Sequence, residues 1–387
     1  MISAFRLLRA PLLVLAIAAA FAAPSAAADI FTVRGVHVDE TADSASAART
    51  AAQAEGQRLA LTAMMKKLTL PEDWSNLPSV DSATAQNAVR GFQVANEKTS
   101  STRYIADLIV SFQPEAVRRL LRQAGIPFGE TQARPAILVP VLHRDGNTIL
   151  WDDRNEWRDA WAALGPADAL TPLILPIGDI AEMNLVSAER ATADDEAADA
   201  ALAELAANYG ASEAIVADAT LSAAGDSLTV VLRRRGASEP LSATYEKTDE
   251  NMPGLMRAAA AGTLSSLGDQ WKRQIIVRDG RLSTLTAQAD FDNLPDWEKI
   301  RGALTSTPLV QAMEVSGISS RGAEIRISHK GTADMLALSL AQQDVTLSDG
   351  VHTAPAPAPV SGSAIEAGAQ GAPVTATASR WHLSAAP

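Results

Sequence analysis

The apolar run AILVPVL at 136–142 constrains the fold of this chain more than any other feature of its sequence. An unbroken run of uncharged, apolar residues is typical of a β-strand that is buried on both faces of a sheet. Two further strand-like segments follow, ALTPLILPI at 169–177 and SEAIVADATL at 212–221, and a helical pattern precedes each of them. This alternation of strands and helices predicts a mainly parallel α/β module at 134–270.

The residues before this module predict a smaller α+β module at 29–128. The alternating segment IFTVRGVHVD predicts a strand, and an alanine-rich helix follows from Ser44 to Leu68, with Asp43 or Ser44 as its cap. RYIADLIVSF predicts a second strand, and PEAVRRLLRQAGI predicts a helix that ends at Gly125.

A third module is predicted at 271–350. RQIIVR and LSTLTAQADF indicate a hairpin around Asp279 and Gly280, followed by a helix with Trp297 and Ile300 turned inward. A second hairpin, AMEVSGIS with AEIRISHK, precedes a helix and the strand DVTLSD. This order resembles a ferredoxin-like split β-α-β repeat.

Composition changes sharply after the third module. Residues 351–379 are mostly Ala, Pro, Gly, Ser and Thr, which bury too little apolar surface to offset ordering, so we predict disorder. Residues 380–387 contain the alternating segment RWHLS, which is able to dock as a strand beside DVTLSD.

The first residues have the pattern of a secretory signal peptide. Arg6 and Arg9 precede an apolar run shorter than the roughly 20 residues of a membrane-spanning helix. The small residues that follow predict cleavage after Ala28, although an uncleaved anchor is the alternative. Cysteine is absent, which excludes disulfides and fits an oxidising compartment, so we expect a periplasmic protein.

Charge limits the partners of the exported chain. Residues 1–28 carry two arginines and no acid, so their removal takes the formal net charge from −12 to −14. Nucleic acid is therefore not an expected partner, because its binding depends on clustered basic residues. No later segment is apolar enough to predict an integral membrane span after cleavage.

The segment ILWDDRNEWRDAWAAL at 149–164 contains three of the seven tryptophans. Trp157, Trp161 and Leu164 fall on one face of a helix that Asp153 is expected to cap, which predicts core packing. Tryptophans beside carboxylates also suit a sugar or cation platform. Trp151 lies outside the helical phase and is the better candidate for exposure.

Patterns with catalytic or metal-binding chemistry are weak in this chain. Gly225-Asp226-Ser227-Leu228 and the later Asp349-x-x-His352 resemble the motifs of GDSL hydrolases, but the first lies between two predicted strands, where a turn is expected. The histidines are scattered without zinc spacing, and glycine-rich nucleotide loops are missing. We therefore expect no enzyme activity, no cofactor and no metal.

The chain resembles a family of uncharacterised exported proteins of Gram-negative bacteria that is catalogued as a domain of unknown function. SASAARTAAQAEGQRLALTAMMKKL, RYIADLIVSFQPEAVRRLLRQAGIP and LWDDRNEWRDAW carry this resemblance, as do RPAILVPVL, PDWEKIRGAL and the closing WHL. More loosely, the first module is similar to the N-terminal domain of the flagellar assembly protein T, and the middle module to that of TolB. These resemblances imply envelope assembly modules that bind other proteins.

The sequence therefore favours a non-enzymatic periplasmic protein that acts in envelope assembly or as an interaction scaffold, with other envelope proteins as partners. The alternative is a ligand-binding module that uses the end of the middle sheet, where open α/β sheets bind ligands. Trp151, Asp152 and His143 are the candidate binding residues for that alternative. Trp297 is expected to be structural.

Overall fold

A computed structural model describes residues 30–164, 169–234, 240–248, 251–278, 280–349 and 381–385. The predicted signal peptide, the segment 351–379 and His352 lie outside these ranges. Helices and mixed sheets alternate along the described chain, which confirms the α/β and α+β fold class.

The first module is a three-stranded antiparallel sheet covered by a long helix. The sheet order is β1-β3-β2, and its buried face includes Tyr104, Leu108 and Val110. Ser44 caps the long helix by accepting from the backbone N–H of Ala47. The elements are β1 (Thr32–Thr41), α1 (Ala45–Leu68), a 3-10 turn (Pro71–Asn76), α2 (Ser82–Ala88), β2 (Val89–Thr99), β3 (Arg103–Phe112) and α3 (Pro114–Gln123).

The strand β2 has no counterpart in the sequence prediction. Its side chains are exposed or half-buried throughout, because it lies at the edge of the sheet. An edge strand of this kind lacks the apolar alternation on which sequence assignment of strands depends.

The middle module has a mixed sheet in the order β5-β4-β7-β8-β9, with β6 also paired to β4. The strand pairs β4–β7 and β4–β6 are parallel, and the other three pairs are antiparallel, so the sheet is mixed rather than mainly parallel. Its elements are β4 (Ala136–Arg144), β5 (Asn147–Ile149), α4 (Glu156–Ala163), β6 (Leu173–Ile174), α5 (Ile180–Leu185), α6 (Ala188–Thr192), α7 (Glu196–Asn208), β7 (Ala214–Leu221), β8 (Ser227–Arg234), β9 (Leu241–Glu246) and α8 (Met252–Ile275).

Two apolar layers cover the faces of this sheet. Alternate residues of β4 and β7 pack against α4 and α8 on one face and against α6 and α7 on the other. The predicted strand ALTPLILPI is largely irregular, because only Leu173 and Ile174 pair with β4.

Helix α8 belongs to two cores. Its first half packs on the middle sheet, whereas Trp271 and Ile275, with Ile276 just after the helix, are buried in the core of the first module. The predicted strand RQIIVR is therefore wrong: these apolar residues end a helix and contact another module. The helix also continues through residue 271, where the third module was predicted to begin.

The third module has the sheet order β11-β12-β10-β14-β13. Without β14, this is the strand order of a ferredoxin-like βαββαβ unit. The elements are β10 (Leu282–Asp290), α9 (Leu294–Ser306), β11 (Val310–Ile318), β12 (Gly322–Lys330), α10 (Ala333–Ala341), β13 (Val345–Asp349) and β14 (Trp381–Ala385). Strand β10 pairs with β12 and β14, so it does not form the predicted hairpin with RQIIVR.

Strand β14 lies inside the sheet. It pairs parallel to β10 and antiparallel to β13, and Leu383 is completely buried. The last described strand therefore joins β13 to the rest of the sheet.

Candidate functional site

The candidate site lies on the middle sheet, at the ends of the parallel strands β4 and β7. His143 lies near the carboxyl end of β4, between two polar side chains. Its Nε2 atom is 2.7 Å from Oδ1 of Asp218, and its Nδ1 atom is 3.2 Å from the hydroxyl of Thr148. The structure thus gives one of the predicted binding residues two polar neighbours.

Asp218 is a carboxylate in the interior of β7 with only 7% of its surface exposed. Its Oδ2 atom accepts a hydrogen bond of 3.2 Å from Nε of Arg233 on the neighbouring strand. A buried carboxylate requires such partners, because the loss of hydration is otherwise very costly. Sequence reasoning missed Asp218, although a charged residue within the apolar run AIVADATL is a detectable signal.

Thr148, His143 and Asp218 have the residue types of a nucleophile, a base and an orienting acid. The geometry at the acid does not match that role. Among the described residues, Oδ1 of Asp218 has no partner at hydrogen-bonding angles, so its short distance to His143 is not an in-line hydrogen bond. The cluster therefore suits polar binding better than nucleophilic catalysis.

Trp151 is half-buried rather than exposed. Its indole Nε1–H donates to the carbonyl oxygen of Val186 at 2.7 Å, and the ring packs with the apolar layer beside α6 and α7. A Cβ atom placed on Gly178 would lie 3.1 Å from the Trp151 ring. Trp151 is thus a packing residue that holds the loop at 176–186.

Asp152 is exposed and stabilises a turn. Its carboxylate accepts the backbone N–H of Arg154 at 2.8 Å, and this hydrogen bond, with the Arg154 side chain, lowers the pKa of Asp152. Trp151, Asp152 and His143 have separate sets of contacts, so the structure does not unite the three predicted residues in one polar cluster.

Asn155 organises the tryptophan segment and was not predicted. Its buried amide donates to the carbonyl oxygens of Pro140 and Leu150 at 3.1 and 2.8 Å. Its Oδ1 atom accepts from the N–H groups of Trp157 and Arg158, both at 3.1 Å, and so caps α4. Asn155, and not the predicted Asp153, is the capping residue.

The remaining residues of this segment divide between core and surface. Trp157 is fully buried and donates from Nε1 to the carbonyl oxygen of Ala217 at 2.9 Å, and Trp161 packs edge-on against it. Leu164 is 37% exposed and does not share this face. In the third module, Trp297 is buried with Ile300, as a structural role requires.

Hydrogen bonds from three residues brace the segment 176–186, which consists of a short loop and helix α5 (Ile180–Leu185). Arg158 donates from Nη2 to the carbonyl oxygen of Pro176 at 2.7 Å, and the N–H of Ile177 donates to the hydroxyl of Tyr209 at 3.0 Å. The buried carboxylate of Glu182 accepts from the N–H of Gly178 at 2.5 Å and from the Tyr209 hydroxyl. Burial, followed by this contact with Glu182, raises the pKa of Tyr209.

The same segment presents large apolar side chains to solvent. Ile177 is 71% exposed, Ile180 77% and Met183 41%. We call these three residues the 177–183 surface. The backbone of this segment is held in place by hydrogen bonds, yet three large apolar side chains contact water, which is energetically unfavourable.

The Gly-Asp-Ser motif forms a turn, as its position between two strands predicts. Ser222 accepts from the N–H groups of Asp226 and Ser227 at 3.2 and 3.1 Å, and Ser227 begins β8. The hydroxyl of Ser222 donates to Asp226, and this hydrogen bond lowers the pKa of that carboxyl. Ser227 therefore belongs to a hydrogen-bonded turn at the start of β8.

Two further features are absent from the described ranges. None of the helices described has the length and apolar character to cross a membrane. The described side chains also contain no group of three His, Cys, Asp or Glu residues that is able to hold a metal ion.

Comparison with known protein families relates the first part of the chain to a domain of unknown function. Residues 31–130 match a domain of unknown function, DUF8605. The DUF8605 match covers the first module and its connection to the middle sheet, so the tryptophan segment lies outside it. No curated protein matches the chain. No solved structure matches it either.

Proposed function

We propose that the protein is a non-enzymatic scaffold of the cell envelope that binds another envelope protein through the 177–183 surface. The observation that carries this proposal is the exposure of Ile177 and Ile180 on a loop that Arg158, Tyr209 and Glu182 hold in place. Clustered exposed apolar residues commonly mark protein-binding surfaces.

The bracing supports binding on energetic grounds. A loop that is already ordered loses little conformational entropy when a partner binds. Without a partner, the bracing would keep the apolar side chains in contact with water and would not bury any of their surface. Protein–protein interfaces typically have an apolar centre and a polar rim, and the exposed acid Asp179 lies within this loop.

The setting in the envelope rests on the sequence. The signal-peptide pattern at 1–28 supports export to a Gram-negative periplasm, and the absence of cysteine is consistent with it. The resemblance of the first two modules to flagellar assembly protein T and to TolB supports a role in assembly. Mass measurement of the exported protein tests this directly, since cleavage after Ala28 leaves Asp29 as the first residue.

A photo-cross-linking amino acid at position 180 tests the binding surface. The matched control is position 282, because Leu282 is 64% exposed but lies on the third module. We expect a discrete cross-linked protein from position 180 in periplasm-containing cells, absent at position 282 and lost on Ile177→Asp. Equal cross-linking from both positions would argue against the surface. Size-exclusion chromatography of the pure protein separates a foreign partner from self-association.

The polar cluster favours a second candidate function, the binding of a small polar ligand at the end of the middle sheet. Asp218 and Arg233 lie beside His143, where open α/β sheets bind ligands. Tryptophan fluorescence titrated with periplasmic small-molecule extracts tests this candidate, with Trp151→Phe as a control for the reporting residue. A saturable change in tryptophan fluorescence that is lost in Asp218→Asn would support ligand binding. An unchanged fluorescence spectrum would argue against ligand binding and in favour of the scaffold proposal.

A further inference from the structure

A cleft lies between the first and middle modules, away from the polar cluster and the 177–183 surface. Helix α1, helix α8, the start of β1 and the segment at 169–171 enclose it, and its volume is about 570 Å³. This volume falls within the range of roughly 300–1,000 Å³ that small-molecule sites occupy.

Many of the residues that line the cleft are apolar. These side chains come from both modules and share small or branched aliphatic character: Val33, Ala63, Leu164, Leu170, Ala261 and Leu264. The partial exposure of Leu164, which sequence analysis placed in the core, is explained by its position at this cleft. Such a lining favours an aliphatic chain and offers few hydrogen-bonding partners to a sugar.

Basic residues also line the cleft. Lys66, Lys67, Lys272 and Arg34 line it, whereas Asp269 is the single acidic residue among its described lining residues. Asp269 pairs with Lys272 at 2.8 Å. Basic residues thus outnumber acidic ones among the described residues of the lining, whereas the whole chain has a net charge of −12.

Lys66 is the cation best placed to meet a ligand. Its ammonium lies 5.1 Å from the centre of the Trp74 ring, a cation–π contact that keeps the side chain at the cleft. Among the described residues, Lys66 forms no ion pair with a carboxylate. Its charge is therefore available to an anion.

Two buried polar atoms at the cleft have no partner among the described residues. They are Nε1 of Trp74 and Oγ1 of Thr171, and Thr171 is only 7% exposed. Buried polar atoms are normally hydrogen-bonded, because an unsatisfied one destabilises the fold.

We propose that this cleft binds an amphiphile with one long acyl chain and an anionic headgroup. The acyl chain lies along Leu170, Ala261 and Leu264, and the headgroup lies at Lys66. The proposal is independent of the 177–183 surface, since the two features share no residue. A carboxylate and a phosphate headgroup have the same chemistry here, so the experiment separates them.

Displacement of a fluorescent fatty acid, parinaric acid, measures this binding at concentrations below micelle formation. Palmitate and a lysophosphatidate test the two headgroups, and a monoacylglycerol and an alkylamine of the same chain length are the neutral and cationic controls. We expect the two anions to displace the probe and the controls to bind at least about tenfold more weakly. This ratio corresponds to about 1.4 kcal/mol.

Two variants locate the site. Lys66→Glu is expected to weaken the binding of the anions at least about tenfold, whereas Lys98→Glu, on an exposed edge strand, leaves it unchanged. Ala261→Trp fills the cleft and is expected to abolish binding, whereas Ala207→Trp, also at an exposed helical position, retains it. Circular dichroism confirms that the variants fold.

Three results would overturn the proposal. They are wild-type protein that binds no anionic amphiphile, equal affinity for the neutral and anionic amphiphiles, and equal loss of binding in Lys66→Glu and Lys98→Glu. Cross-linking at position 180 is unaffected by any of these results, so the scaffold proposal is judged separately.

Discussion

The ammonium of Lys272 donates a hydrogen bond of 2.6 Å to the carbonyl oxygen of Thr69, across 203 residues of sequence. Thr69 is the C-cap of α1, and Lys272 lies near the end of α8, so the contact joins the first module to the helix that covers the middle sheet. A cation at a helix C-terminus also stabilises the carbonyl groups that have no partner within the helix. Lys272 is 4% exposed, so this contact is shielded from water.

We predict that Lys272→Met lowers the free energy of unfolding by about 2 kcal/mol, because it leaves buried carbonyl groups without a donor. The charge of Asp269 also loses its partner. Urea unfolding followed by tryptophan fluorescence measures the change. Lys98→Met is the control on an exposed strand, and a similar midpoint in both variants would contradict the role of Lys272.

Gly178→Ala is predicted to destabilise the braced loop. Gly178 has φ +81°, and its new Cβ would press on the Trp151 ring at 3.1 Å. Gly210→Ala is the matched control, because Gly210 has φ +63° but no atom within 4 Å of the added Cβ. The backbone strain of about 1–2 kcal/mol is common to both variants. We therefore expect a larger loss of thermal stability, and weaker cross-linking at position 180, in Gly178→Ala alone.

We predict that the contribution of Tyr209 to stability depends on pH in the alkaline range. Burial and the hydrogen bond to Glu182 raise the pKa of Tyr209, so the folded state favours the protonated phenol. The resulting stabilisation is complete below the unfolded pKa of about 10 and is lost as pH rises through the higher folded value. The stability advantage of the wild type over Tyr209→Phe should therefore shrink above pH of about 10. Urea unfolding of both proteins from neutral to alkaline pH measures this difference, and a constant difference would contradict it.

Strand β14 is predicted to be essential for the order of the third module. Leu383→Ala should cost about 3 kcal/mol, because Leu383 is completely buried between the helices and the centre of the sheet. Ser384→Ala, at an exposed position of the same strand, should have little effect. Hydrogen exchange of β10 and β13 gives the local measurement. Unchanged protection after Leu383→Ala would show that these strands hold together without β14.

Local pattern predicted most of the regular elements and few of the contacts between them. The apolar runs of β4 and β7 and the capped helix α1 are local signals, and each appears at its predicted position. The segment RQIIVR failed because a short apolar run fits a strand or a buried helix end equally well. Its helical state depends on Ile275 and Ile276, which meet the core of another module.

Of the residues in the polar cluster, the sequence pattern indicated His143 and missed Asp218 and Arg233. His143 was recognisable from its position at the end of β4, whereas Asp218 and Arg233 come from strands whose register no local pattern specifies. Trp151 was expected to be exposed because it falls outside the helical phase. The loop at 176–186 covers it, and that contact joins residues far apart in sequence.

The sequence by itself determined most of the helices and strands and their order along the chain, because helix caps, apolar alternation and turn residues act over a few neighbours. Tertiary structure decided that α8 belongs to two cores, that β14 enters the third sheet between β10 and β13, and that lysines and leucines of separate modules share one cleft. The physical reason is burial. An apolar residue gains the same stability against any complementary surface, so only the packed chain determines which surface it meets.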